Sequence, residues 1–107
     1  MKSERSKMCD ISPKVRQAVV ERDNGLCVVC GRVGFPNAHY ISRRRGGLGI
    51  EENIVTLCPE CHRDFDYGSI FKQTSIGEVI KAYLQSKYEN WKEEDLYFRH
   101  WSERNKR

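Results

Sequence analysis

Four of the five cysteines stand in two C-x-x-C pairs, Cys27-Val28-Val29-Cys30 and Cys58-Pro59-Glu60-Cys61. Two thiolates separated by two residues share one tight turn, so both sulfurs can face a single ion. Two such turns complete the tetrahedral shell of a structural zinc and leave no open position for catalysis. The spacer, residues 31–57, exceeds the ~15–20 residues of a compact zinc ribbon, so something sizeable is inserted between the knuckles. A disulfide framework is the rival arrangement, but the cysteine total is odd and no export signal accompanies it. A reduced, intracellular chain with a structural metal is therefore expected. A redox C-x-x-C centre would need one pair in a thioredoxin-like strand context, which is missing. Cys9, outside both pairs, is expected to be a free thiol without a role.

A second set of residues is not required by a zinc ribbon. His39 and Asn53 fall between the knuckles, and His62 follows Cys61 directly. Asp66 stands four residues after His62, so on a helix the two side chains share one face and can hold one divalent ion. Asp64, two residues after His62, would point elsewhere. An imidazole titrating near ~6.5 can take a proton from water at neutral pH. A cation beside a phosphate offsets charge on the phosphoryl and leaving oxygens. Imidazole, carboxylate and waters suit Mg2+, Mn2+ or a late transition metal. Arg43, Arg44 and Arg45 run into Gly46-Gly47, and guanidinium forks pair with phosphate oxygens. Such contacts bring salt dependence without sequence selectivity.

The elements that must position these residues can be read from local signals. Residues 1–11 read as a flexible tail. Ser12-Pro13 opens a helix as cap and first-turn proline, and Asn24-Gly25 stops it before the first knuckle. Ala38 to Ile41 and Asn53 to Leu57 read as two strands of an antiparallel hairpin, joined by a long, basic, glycine-rich connection. Cys61 to Asp66 reads as a short helix stopped at Tyr67-Gly68. Ser75-Ile76-Gly77-Glu78 has the form of a capping box and predicts a helix with Ile76, Val79, Ile80, Tyr83 and Leu84 on one face. Asn90 to Glu93 predicts a last helix carrying Leu96, Phe98 and Trp101. Trp91, Tyr97, Phe98 and Trp101 read as core or docking residues rather than base-stacking ones, and His100 has no role. The division expected is a tail over 1–11, a metal-stapled domain over 12–70, a helical extension over 71–102 and a tail over 103–107.

The run from Cys27-x2-Cys30-Gly31 through Ala38-His39-Tyr40-Ile41-Ser42-Arg43-Arg44-Arg45-Gly46-Gly47 and Glu52-Asn53-Ile54-Val55-Thr56-Leu57 to Cys58-x2-Cys61-His62 resembles the HNH endonuclease family, in particular its small phage and prophage members. The helix ending in Arg22-Asp23-Asn24-Gly25 also fits. The resemblance implies an α+β chain with a ββα-metal (His-Me finger) core, stapled by a four-cysteine structural zinc and flanked by N- and C-terminal helices. It implies that His39 is the general base, that Asn53 braces the hairpin loop and that His62 ligates a catalytic divalent metal. Cleavage would leave 3′-hydroxyl and 5′-phosphate ends. Many members carry a His or Asp metal ligand directly before the base, where this chain has Ala38. Three outcomes are open: Asp66 supplies the missing ligand opposite His62, or the metal is held more weakly with water and substrate phosphate completing the shell, or cleavage has been lost. Asp66 is the favoured substitute. Arg43, Arg44 and Arg45 would hold the DNA backbone.

Composition sets the outer bounds. The chain has 107 residues, 32% of them charged, and a net charge of +4. Residues 1–50 carry the basic excess, and residues 51–107 are slightly acidic; a basic front half suits a polyanionic partner. No apolar run approaches the ~20 residues of a membrane span, and neither a membrane nor a secretory protein is expected. A zinc deaminase also uses P-C-x-x-C, but the glutamate of its H-x-E is missing, because Ile41 stands two after His39. Two functions remain. One is a metal-dependent DNA endonuclease that nicks or cuts duplex DNA, by analogy working with phage terminase in the cytoplasm of a bacterial host. The other is a non-catalytic, zinc-stabilised nucleic-acid-binding module.

Overall fold

The computed structural model describes residues 2–99 and contains four α-helices and one two-stranded sheet. Helix α1 spans Glu4–Cys9 and α2 spans Pro13–Asp23. Strands β1, Phe35–His39, and β2, Ile54–Leu57, pair antiparallel with Ala38 opposite Val55 and His39 opposite Ile54. Helix α3, Pro59–Tyr67, follows β2 at once, and α4 runs from Ile70 to Lys87. The order β1-β2-α3 is the expected ββα core with helices on either side.

Local chemistry explains the boundaries. The Ser12 hydroxyl accepts from Val15 N–H at 3.2 Å with Pro13 in the first turn, and Asn24 ends α2 in the left-handed region at φ 58°. Cys58 caps α3, its sulfur accepting from Cys61 N–H at 3.4 Å. One residue thus serves the knuckle and begins the helix, which satisfies an N–H that the helix itself cannot pair.

The hairpin lays Ala38, Val55 and Leu57 against Ile80 and Leu84 of α4, with Cys27 and Cys58 in the same core. Helix α2 is tied to β2 by the pair at its end. The Asp23 carboxylate accepts from Thr56 N–H at 2.9 Å and from the Tyr83 hydroxyl. Arg22 pairs with Asp23 at 2.7 Å and donates to the carbonyls of Glu51 and Ile54, each at 2.7 Å. Burial works to raise the Asp23 carboxyl, but Arg22, Tyr83 and Thr56 together hold it below the usual carboxylate value.

Three sequence expectations are corrected. The segment expected as a tail folds as α1, with the Cys9 side chain only 2% exposed. Helix α4 begins at Ile70 rather than at Ser75, because Ser69 already provides the cap, accepting from Lys72 N–H at 3.2 Å. The last helix is reduced to a 3-10 turn over Glu93–Leu96. Beyond it the chain extends, pairing Tyr97 with Gly47 and bonding Phe98 N–H to the Gly46 carbonyl at 2.6 Å. Pairing with the glycine-rich loop outcompetes helix continuation. His100, Trp101 as a residue of the last helix, and the tail over 103–107 lie outside the described residues. Among the described residues no helix is long and apolar enough to cross a membrane.

Candidate nuclease site and metal centre

The four cysteine sulfurs of the two knuckles lie within 4.8 Å of one another, a set able to chelate one metal ion. Cys27 and Cys58 are buried, while Cys30 and Cys61 lie nearer the surface. Burial works to raise the Cys27 thiol, yet backbone N–H groups of Cys30, Cys58 and Val29 bring it down to about 7. Burial and the neighbouring sulfurs push Cys61 up. Four crowded thiols resist joint ionisation in the absence of a cation, and a dication at their centre removes that conflict. Asn53, at the opposite end of β2 from Cys58, is fully buried. Its Oδ1 accepts from Ile41 N–H at 2.8 Å, and its Nδ2 donates to the carbonyls of Leu48 at 2.8 Å and Ile41 at 3.1 Å. The side chain ties both ends of the long connection together. Gly47 makes this closure possible, since a Cβ there would collide with the Ile41 carbonyl.

On the far side of the hairpin, His39 and the His62–Asp66 pair line one open cleft of about 480 Å3 with Arg43, Arg44 and Tyr67. His62 Nε2 and Asp66 Oδ2 are 3.2 Å apart, one helical turn along α3. They form a two-donor corner for a divalent ion, leaving other positions to water or phosphate oxygens. Asp64 points away, toward Lys72 on α4 at 3.9 Å. His39 Nε2 lies 2.8 Å from the Cys9 carbonyl oxygen. A carbonyl only accepts, so Nε2 carries the hydrogen and Nδ1 of the neutral ring holds the free lone pair. Burial lowers the His39 pKa below the ordinary imidazole value, helped by Arg43 and His62 and opposed by the Cys9 carbonyl and Asp66.

Ala38 is fully buried in the core between hairpin and α4. Side chains alternate along a strand, so the residue before His39 faces away from the cleft. The three arginines, grouped in sequence, take different partners. Arg43 pairs with Asp10 at 2.7 Å, and Arg45 bonds and stacks on Tyr97, 3.0 Å from its hydroxyl and 5.7 Å from its ring centre. Arg44 is exposed on the rim of the cleft. The sequence reading missed Cys9, Asp10 and Tyr67. No local signal marks the first two, because their partners lie about thirty residues downstream; Tyr67 had only its place as the end of a helix.

Comparison with known proteins adds a family to this geometry. Residues 27–65 match the family model described as HNH endonuclease. The chain is similar to the type IV methyl-directed restriction enzyme EcoKMcrA of Escherichia coli, 31% identical over 71 residues, covering 57% of this chain and 26% of that protein. It is also similar to anaredoxin of Nostoc sp., 32% identical over 59 residues, covering 53% of this chain and 78% of that protein. The chain therefore spans only about a quarter of the length of the restriction enzyme.

Proposed function

We propose, from the premise that this chain belongs to the HNH endonuclease family, that it is a metal-dependent endonuclease hydrolysing DNA phosphodiester bonds. The observation that carries the reading is the convergence of His39, His62, Asp66, Arg43 and Arg44 on one cleft. His39 Nδ1 accepts the proton of the attacking water as that oxygen bonds to phosphorus. The P–O3′ bond breaks, the departing oxygen takes a proton from solvent, and the products are a 3′-hydroxyl and a 5′-phosphate. His62 and Asp66 would hold the divalent metal, Mg2+, Mn2+ or a late transition metal, which supplies charge stabilisation at the phosphoryl and leaving oxygens. Arg44, with Arg43 beside it and Arg45 along the same turn, binds the polynucleotide backbone. Asn53 keeps the loop closed, and zinc on Cys27, Cys30, Cys58 and Cys61 holds the scaffold. Work with phage terminase in a bacterial cytoplasm is the setting that the small phage proteins of this family suggest.

Plasmid nicking in Mg2+ or Mn2+ tests the reading. His39→Ala is expected to slow cleavage by about 10²–10⁴-fold, the usual worth of a general base. The burial of Ala38 favours a second reading, a DNA-binding module without turnover, because only His62 and Asp66 remain as protein ligands. Binding with no cleavage in any metal would select it.

A further inference from the structure

The N-terminal segment, upstream of the part that matches the family model, makes four kinds of contact with the cleft and the loop that follows it. The Cys9 carbonyl meets His39 Nε2 at 2.8 Å across thirty residues of sequence. Asp10 pairs with Arg43 at 2.7 Å and with Lys2 at 2.6 Å. Arg5 donates to the carbonyls of Arg43 at 3.2 Å and Arg44 at 2.8 Å. Gly49 N–H donates to the Met8 carbonyl at 3.0 Å. The approach is close enough that a Cβ at Gly49 would collide with the Asp10 carbonyl oxygen and sit 3.0 Å from that of Cys9.

We propose that α1 and Asp10 are a positioning element of the nuclease site, in which the Cys9 carbonyl fixes the His39 ring and Arg5 and Asp10 fix the arginine turn. The inference rests on the reading of His39 as the base. The last carbonyls of a helix have no partner within it, so Cys9 offers a free acceptor where the ring requires one. With Nε2 so engaged, rotation of the ring about χ2 would break a bond, and Nδ1 is held in one orientation. Arg5 satisfies two carbonyls of a second 3-10 turn, over Arg43–Arg45, while Asp10 sets the direction of the Arg43 guanidinium. Neither contact would be needed for the metal centre, which sits on the knuckles.

Two full-length variants test this. Gly49→Ala forces the segment off the loop, and the double variant Arg5→Ala with Asp10→Ala removes its side-chain anchors without a clash. The readouts are the His39 Nε2–H resonance and its protection from solvent exchange in 15N-edited NMR, and the kcat and KM of plasmid nicking. Zinc content and melting temperature report the fold. In the wild type the ring proton is expected to be protected; in Gly49→Ala it should exchange freely, with zinc content unchanged. Loss of orientation should lower kcat by roughly 10–100-fold with KM altered less than about twofold, and the double variant should fall between. A ring proton as protected in both variants as in the wild type, or a kcat unchanged once protection is lost, overturns the inference. A wild-type protein that leaves plasmid intact in every metal ends the nuclease reading instead. The ring proton then still decides whether the segment positions His39, since it is measured without turnover.

Discussion

His39 is partly buried, and this burial is the main reason its imidazole titrates below the usual range. A base that stays neutral to lower pH keeps its lone pair there. The acid limb of the nicking profile is therefore expected to fall at a pH below the ~6.5 of free histidine, and rates measured across pH 4–8 check it. Stability follows the same sign. The unfolded chain takes up a proton at His39 near ~6.5 while the native ring refuses it, so stability declines as pH falls from there toward the lower native value. Asn53 and Asp66 separate the two kinds of polar residue in this site. Asn53→Ala would strand the buried Ile41 N–H and the Leu48 carbonyl, with a loss on the order of 3 kcal/mol by denaturant titration. Asp66→Ala alters an exposed carboxylate and should leave melting unchanged. It should raise the metal concentration for half-maximal nicking about tenfold or more, as expected for the loss of one ligand.

At the scale of elements, the second knuckle and α3 are one device. Cys58 belongs to the cluster able to chelate a metal and also caps the helix, so Cys58→Ser removes a sulfur donor from the cluster and loosens the helix that carries His62 and Asp66. The expected result is loss of cooperative unfolding and of bound zinc, read by circular dichroism and metal analysis. A Cys58→Ser protein that melts like wild type would sink the structural assignment of the four cysteines. Helix α2 is anchored differently, through Arg22 and Asp23 on β2. Asp23→Ala leaves Arg22, largely buried, without its carboxylate, and a cost of about 3–5 kcal/mol is expected. That the same Arg-Asp-Asn-Gly run supplies a buried ion pair and a left-handed stop accounts for its place ahead of the first knuckle.

For the molecule as a whole, the decisive quantities are a small core and an uneven charge. The core joins the hairpin, the knuckles and α4, and removing the knuckle metal with a strong chelator is expected to unfold the domain, because metal binding and folding are one equilibrium in such chains. The basic residues gather on the first half of the chain. All three arginines of the triplet are exposed, but Arg43 is paired with Asp10 and Arg45 with Tyr97, while Arg44 lines the cleft with no such partner among the described residues. Arg44→Ala should weaken DNA binding by a similar factor on any sequence. It should lower the slope of log affinity against log salt by about 1, the signature of one lost phosphate contact.

The sequence by itself determined the four-cysteine centre, the ββα order and the candidate residues His39, Asn53, His62 and Asp66, because each depends on short spacing: two residues in a knuckle, four along a helix turn, adjacent strands in a hairpin. Tertiary structure alone decided what lies around them. It placed Ala38 in the core, gave Arg43 and Arg45 different partners, cut the last helix to a single turn in favour of pairing with the glycine loop, and folded α1 against the cleft. These outcomes depend on contacts between residues thirty or more apart, which are settled by competition for burial and for hydrogen-bond partners across the whole chain. Local propensity carries no record of that competition.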